Sequence, residues 1–308
     1  MLKSKKMHKL FFVLLAAVML VSACAPAAGS QPAESAGKVI IGSKDFTEQY
    51  IIAEMYAQIL ENAGFTVERK LNLGGTPIAH QAIINNEIQL YPEYTSTGLM
   101  TVLKLSPIQN AQQIFTTVKE GYEENYGLTW LEPSPFNNSQ ALAMTREVAA
   151  KYGITTYSDL SKVAPELILG GPPEFSERED GIKGLQGAYG GFEFKELKQL
   201  GKGSLRYEAL MAGQVDVVVA FGTDGAINGN DLLLLVDDKV FYPIYNVAPV
   251  IRQDTLTAYP QIADLLNELS PLLTDEIMSG LNWQVDGPEK KEPADVARDF
   301  LVENGLID

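Results

Sequence analysis

The stretch KVIIGSKDFTEQYIIAEMYAQILENAG, Lys38–Gly64, decides the fold. Its first residues are largely β-branched and run to Gly42, which predicts a strand. Beyond that glycine, apolar residues recur at helical spacing. They predict an amphipathic helix that ends near Gly64 and has Asp45 or Thr47 as its N-cap. A strand followed at once by a helix is the first half of a βαβ unit.

The same alternation continues on the C-terminal side of this stretch. FTVERKLNL and IQLYPEY predict two further strands, and GGTPIAHQAIINNE between them predicts a helix that begins near Pro77. Such alternation predicts a parallel sheet with helices on its faces. It returns between QALAM and VDVVVAF, so we expect two α/β units in the chain. From Pro260 onward, three amphipathic helices are expected.

Two extended segments, LEPSPFNNSQALAM and YPIYNVAPVI, connect the two units. Two crossings imply that the first lobe is discontinuous and that the tail returns to it. We therefore predict lobe 1 from residues 38–139 plus 247–308 and lobe 2 from residues 140–246. A cleft between two lobes is a preferred place for a small ligand.

The residues before Lys38 carry signals for export. Residues 1–23 combine four lysines with the apolar run LFFVLLAAVMLV, which is typical of a signal peptide and too short to span a membrane. The following VSAC resembles the lipobox of bacterial lipoproteins, so lipidation is expected at Cys24, the only cysteine. Residues 24–37 are rich in Ala, Pro, Ser and Gly, which predicts a flexible tether. We expect a lipid-anchored protein on the outer side of the cytoplasmic membrane or in the periplasm.

Composition disfavours several function classes. The formal charge is −15, and it argues against nucleic acid as a partner. His8 and His80 are the only histidines, and the sequence has no nucleophile elbow, phosphate-binding loop or zinc motif. We therefore expect no cofactor, no metal and no catalysis, with His80 as a structural residue. An exported hydrolase that uses a carboxylate such as Glu93 stays open as an alternative.

Polar and aromatic residues concentrate at predicted strand ends and in loops, in GSK, YPEYTST, PPEFSERED, AFGTDG and YPIY. From about Lys38 to the C-terminus, these segments and their order resemble the substrate-binding proteins of ABC importers for glycine betaine, choline and related osmolytes. The resemblance implies a two-lobed periplasmic-binding-protein fold of type II with the ligand in the cleft. It also implies a monomer that delivers its ligand to a membrane permease, with ATP used by a separate subunit.

The resemblance also assigns the residues that bind the ligand. A quaternary ammonium cannot donate a hydrogen bond, so proteins hold it against aromatic faces. The matching aromatic residues are Tyr94, Phe221 and Tyr245. Arg178 matches the arginine that binds a betaine carboxylate, which its planar fork suits. The further carboxylate or headgroup contacts from lobe 1 fall on Lys44 and Thr97.

The segment FNNSQ departs from the family pattern. Asn138 stands where many relatives have a carboxylate, and Gln140 stands where they have a fourth aromatic residue. The implied site is a box of three rings and an amide. A different small zwitterion or amino acid derivative on the same scaffold is therefore an open alternative. In YPEYTSTG, Gly98 is expected to let the chain turn into the next helix.

Overall fold

A computed structural model of the chain describes residues 36–201 and 204–308, except for the side chains of Glu174 and Asn228. The predicted signal peptide, Cys24 and the tether as far as residue 35 lie outside this part. The strands are β1 Lys38–Gly42, β2 Thr66–Lys70, β3 Leu90–Tyr94, β4 Leu128–Trp130, β5 Gln140–Thr145, β6 Ile168–Gly171, β7 Glu196–Gln199, β8 Val217–Phe221, β9 Leu232–Leu234 and β10 Val247–Arg252.

Helices connect these strands and form the C-terminal tail. In the first part of the chain they are α1 Thr47–Asn62, α2 Thr76–Ile84, α3 Thr95–Thr97, α4 Ala111–Tyr126, α5 Arg146–Tyr152, α6 Tyr157–Val163 and α7 Ile182–Tyr189. The later ones are α8 Leu205–Met211, α9 Ala226–Gly229, α10 Gln253–Ala258, α11 Gln261–Leu269, α12 Asp275–Asp286 and α13 Pro293–Glu303. A π-helical turn, Gly98–Val102, continues α3. Three 3₁₀ turns are Ala164–Glu166, Pro173–Ser176 and Ser270–Leu272.

The described strands form two five-stranded sheets, in the orders β2-β1-β3-β10-β4 and β7-β6-β8-β5-β9. The expected α/β class is confirmed, but the expectation of parallel sheets is wrong, because both sheets are mixed. β10 runs antiparallel to β3 and β4, and β5 runs antiparallel to β8 and β9. Both antiparallel strands enter directly from an inter-sheet crossing, whereas the parallel strands are joined through helices.

The register at the two crossings brings predicted site residues side by side. Tyr94 at the end of β3 pairs with Val247 at the start of β10. Gln140 at the start of β5 pairs with Phe221 at the end of β8. YPIYNVAPVI was expected to be an extended crossing, and its second half is a central strand of the first sheet. We propose the lobe boundaries given above, since β1–β4 and β10 belong to one sheet and β5–β9 to the other.

The first sheet is covered by apolar side chains on both faces. Val39 and Ile41 pack into a core with α1 and the tail helices, whereas Ile40 between them packs against the cluster around Trp130. Alternation along β1 therefore supplies both cores, as expected for a strand buried on both sides. Among the described helices, none combines the length and the apolar character that crossing a membrane requires.

The start of α1 differs from the prediction. The N-cap position is Phe46, so the expectation that Asp45 or Thr47 caps this helix is wrong. The Thr47 hydroxyl instead donates to Asp286 of α12 at 2.7 Å. This bond ties the first helix of the fold to the C-terminal tail. At the other end, Gly64 has a φ of +88°, which suits the glycine expected there.

Gly98 has a packing role rather than the expected turning role. Its φ of −56° and ψ of −45° are helical, and a β-carbon at this position would lie 2.8 Å from Trp130 Cζ2. We expect Gly98→Ala to lower the free energy of unfolding by about 1–3 kcal/mol through overpacking, as measured by urea denaturation. Gly187→Ala in α7 is the control, since a β-carbon there meets nothing within 4 Å in the described structure. Equal stability of the two variants would contradict this role.

Candidate functional site

A cavity of about 180 Å³ is lined by residues from both sheets' loops, the two crossings and the C-terminal tail. Loops that follow the carboxyl ends of β1, β3, β6 and β8 supply much of its wall. The crevice outside the carboxyl ends of strands is the usual ligand position in open α/β sheets. The fold therefore places the candidate site where the chain passes between the two sheets.

All eight residues that the sequence assigned to a ligand line this cavity: Lys44, Tyr94, Thr97, Asn138, Gln140, Arg178, Phe221 and Tyr245. They come from segments as far apart as the end of β1 and the second crossing. The structure thus brings together residues that are scattered along 200 positions of sequence. Their contact with a ligand stays a prediction.

Five aromatic side chains of the described chain line the cavity, rather than the three expected. Phe46 and Phe175 join Tyr94, Phe221 and Tyr245. Phe46 stacks on Tyr94, with ring centroids 6.2 Å apart and an interplanar angle of 21°. Phe175 lies in PPEFSERED, a segment that the sequence singles out, whereas Phe46 lies two residues beyond GSK. The position of both rings beside charged residues after a strand was the available signal.

Glu48 is the central polar residue of the cavity, and the sequence prediction missed it. The residue is only 3% exposed. Oε1 accepts hydrogen bonds from the Tyr94 hydroxyl at 2.7 Å and from Asn138 Nδ2 at 2.6 Å. Oε2 accepts from the Thr223 hydroxyl at 2.5 Å and from Asn282 Nδ2 at 3.0 Å. One carboxylate therefore gathers donors from four separate segments of the described chain.

These four donors occupy the roughly four acceptor positions that a carboxylate offers. Burial raises the pKa of Glu48, and the hydrogen bonds oppose that rise by favouring the ionised form. Its place in the first turn of α1 also favours negative charge. With its acceptor positions filled by the protein, Glu48 offers the cavity a charge without a demand for a further hydrogen bond.

The carboxylate of Glu48 explains why an amide rather than a second carboxylate stands at position 138. A carboxylate at position 138 would lie at hydrogen-bond distance from the Glu48 carboxylate, where two like charges repel. The amide donates to Glu48 instead, at 2.6 Å. The amide of Asn138 is therefore matched to its neighbour in this chain.

The lysine of the site is part of a buried ion pair. Lys44, which is 4% exposed, contacts the carboxylate of Glu93 through its ammonium group. Tyr91 donates to the other oxygen of Glu93 at 3.2 Å, and the backbone N–H of Tyr94 donates to the first at 2.6 Å. The Lys44 ammonium also lies 5.1 Å from the centroid of the Tyr94 ring. Lys44 was expected to contact a ligand carboxylate, and in the structure a protein carboxylate holds it.

A second arginine in the cavity wall, Arg206, was also missed. It is buried, and its Nη2 donates to Asp224 at 2.5 Å. Its guanidinium carbon lies 5.4 Å from the centroid of the Phe221 ring. Arg206 lies inside helix α8, where a charged residue is usual, so its sequence context looked like an ordinary helix surface.

Beyond this arginine lies a second cavity of about 330 Å³. Arg206, Asp224 and Asp286 line both cavities, so they form the partition between them. Burial raises the pKa of Asp286. Asn282 and Asp286 lie four residues apart on α12, which brings the tail into the site. The sequence predicts an amphipathic helix here, in which polar residues are usual, so nothing singled out Asn282 and Asp286.

The chain is similar to known transport proteins along nearly its whole length. Residues 37–303 match the family model described as the substrate binding domain of ABC-type glycine betaine transport systems. A carnitine transport binding protein of Listeria monocytogenes is 34% identical over 309 residues, which cover 99% of this chain and 98% of the relative.

Two further similarities agree with this match. An ergothioneine transport permease/ergothioneine binding protein of Helicobacter pylori is 37% identical over 87% of this chain, which spans only about half of that relative, 48% of its length. A crystal structure of a glycine betaine/carnitine/choline ABC transporter component superposes with a TM-score of 0.77 at 31% identity, covering 88% of this chain and all of the other. The two-lobed fold of type II periplasmic binding proteins is thereby confirmed. The chain belongs to the family of substrate-binding domains of ABC-type glycine betaine transport systems, and it is the substrate-binding component of an importer.

Proposed function

We propose that this importer component captures a small quaternary-ammonium compound such as choline, glycine betaine, proline betaine or carnitine. The observation that carries the proposal is one cavity, within the described chain, lined by five aromatic side chains and the buried Glu48 carboxylate. Each aromatic face attracts a desolvated cation by about 0.5–2 kcal/mol. Because a quaternary ammonium donates no hydrogen bond, a carboxylate whose acceptor positions are already filled is a suitable counter-charge.

The proposal extends to how the protein is anchored and how it takes up its ligand. We infer that it is a monomer, anchored by a lipid on Cys24, and that closing of the lobes buries the ligand before it is passed to the permease. It performs no chemistry on the ligand. Glu93, the carboxylate considered for a hydrolase, is fully buried and paired with Lys44. His80 packs between Tyr122 and Tyr126, and burial lowers its pKa to about 4.

A larger betaine is a second candidate, and one observation favours it. The second cavity adjoins the first and shares Arg206, Asp224 and Asp286 with it. A ligand with a bulky group beyond its ammonium end gains this space when the partition of Arg206, Asp224 and Asp286 opens. The Helicobacter pylori relative carries ergothioneine binding in its name, so ergothioneine belongs among the compounds to be tested.

The experiment that tests the proposal is calorimetric titration of the purified protein with choline, glycine betaine, proline betaine, carnitine and ergothioneine. We expect binding of at least one of them, and binding at least tenfold weaker for its analogue without N-methyl groups, such as glycine in place of glycine betaine. The N-methyl groups are the part that aromatic faces recognise. Absence of heat with all five compounds, or equal affinity for the unmethylated analogue, would refute the proposal.

A further inference from the structure

Three cationic side chains of the described chain line the first cavity, and each is already paired with a protein carboxylate. The pairs are Lys44 with Glu93, Arg178 with Asp180 and Arg206 with Asp224. A ligand carboxylate that enters this site therefore meets cations whose charge is balanced. The pair of Arg178 and Asp180 differs from the other two, because the side chains of two further cavity-lining residues, Gln140 and Tyr245, donate hydrogen bonds to Asp180.

Asp180 is bound as a ligand carboxylate would be. Arg178 donates to both of its oxygens, through Nε at 2.6 Å and through Nη2. Gln140 donates through Nε2 at 2.7 Å, and Tyr245 donates through its hydroxyl at 3.1 Å. All three donors line the cavity, and all three were assigned to the ligand from the sequence. A forked arginine with two neutral donors is a typical carboxylate site.

We propose that Asp180 is a specificity-determining residue that occupies this carboxylate subsite. It lowers the affinity for ligands that carry a carboxylate relative to quaternary ammonium compounds that do not. The inference rests on the proposed function and deepens it, because it concerns which quaternary ammonium compounds the site prefers.

The affinity for a ligand carboxylate is lowered because that carboxylate has to displace Asp180 from Arg178. Its side chain is 14% exposed, so it loses its donors within a largely buried setting if a ligand carboxylate displaces it from Arg178. A buried acceptor left without partners is costly, and the two carboxylates also repel each other. A ligand such as choline has no carboxylate to displace Asp180, so it leaves all four hydrogen bonds of Asp180 in place.

The test measures dissociation constants of choline and glycine betaine for the wild type and for Asp180→Asn. Both ligands carry a trimethylammonium group, so general effects on the cation cancel in the ratio of the two constants. We expect the substitution to shift this ratio at least tenfold in favour of glycine betaine. A ratio that is unchanged, or shifted toward choline, would overturn the proposal.

Controls separate occupancy of the subsite from a general change of charge. Arg252 and Asp254 lie outside the cavity lining and form a pair with the same sequence spacing and the same two contacts. Asp254→Asn is therefore expected to leave the ratio unchanged.

Asp286→Asn removes a carboxylate that belongs to the partition between the two cavities, and we expect it to shift the ratio by less than threefold. In the double variant Arg178→Ala/Asp180→Asn the gain for glycine betaine should disappear. A gain that persists without Arg178, or an equal gain in Asp286→Asn, would contradict the role of Asp180.

The outcome also distinguishes this inference from the proposed function. If the wild type binds neither choline nor glycine betaine, and Asp180→Asn binds neither, the assignment to these ligands fails and the inference fails with it. If the wild type binds either compound but the ratio does not move, the inference about Asp180 alone fails. If glycine betaine binds only to Asp180→Asn, the inference is supported in its strongest form.

Discussion

Replacing Tyr94 by alanine is expected to weaken binding of a trimethylammonium ligand at least tenfold, about 1.4 kcal/mol. The ring lines the cavity, stacks on Phe46 and carries the hydroxyl that donates to Glu48. Alanine removes a cation-binding face and leaves Glu48 with one donor fewer. Calorimetric titration with the best ligand of the wild type measures the loss.

Tyr94→Phe is the matched control, because it keeps the ring and removes only the hydroxyl. We expect its loss of affinity to be smaller than that of Tyr94→Ala, since Tyr94→Phe keeps the cation-binding face and loses only a hydrogen bond to Glu48. Tyr94 is buried, so circular dichroism and thermal unfolding are needed to show that both variants fold. An affinity of folded Tyr94→Ala within twofold of the wild type would remove this ring from the binding site.

Glu48→Gln is expected to weaken choline and glycine betaine alike, by ten- to a hundredfold. Two unit charges 4–5 Å apart interact by roughly 3–4 kcal/mol at the effective dielectric constant of about 20 that suits protein sites. The amide removes this charge from the cavity. The amide nitrogen of the new glutamine is a donor, and it faces groups of Asn138, Tyr94 or Thr223 that are donors as well. Two donors cannot bond to each other, so part of the hydrogen-bonded network is lost.

The pH dependence of binding gives a second readout for Glu48. A cationic ligand favours the ionised carboxylate, so affinity should fall as pH decreases through the raised pKa of Glu48. In Glu48→Gln the affinity should depend less on pH. Burial also raises the pKa of Asp286, so we assign the pH dependence that remains in this variant to Asp286. Glu61→Gln at the other end of α1 is the control and should bind like the wild type. An unchanged affinity and pH profile in Glu48→Gln would show that its charge does not act on the ligand.

Much of the fold could be predicted from the sequence because its main elements have strong periodicity. The run from β1 to β3 shows clear alternation between β-branched strands and an apolar helical face. The short strands β4 and β9 have three residues each, too few to show a period. The antiparallel direction of β5 and β10 could not be predicted, because it depends on how the crossings enter each sheet rather than on local residue pattern.

The candidate site was partly predictable for a different reason. Residues at strand ends, such as Tyr94 and Phe221, stand out because polar and aromatic residues follow an apolar run. Glu48 and Asn282 lie inside helices, where a single polar residue is usual on a solvated face. Only the tertiary structure shows that both are buried and hydrogen-bonded to each other. Likewise, the pairing of Arg178 with Asp180 depends on side-chain geometry that spacing alone does not specify.

The position of β10 between β3 and β4 has a consequence for how the protein is made. The first sheet cannot be completed until residues 247–252 are available, although its other strands precede residue 131. Tail helix α13 also packs on α1, so this contact has to wait for residues 293–303. Folding that depends on such distant contacts is intrinsically slow. The nascent chain therefore leaves the first sheet incomplete, with β3 and β4 not yet joined through β10, until residues 247–252 have been made.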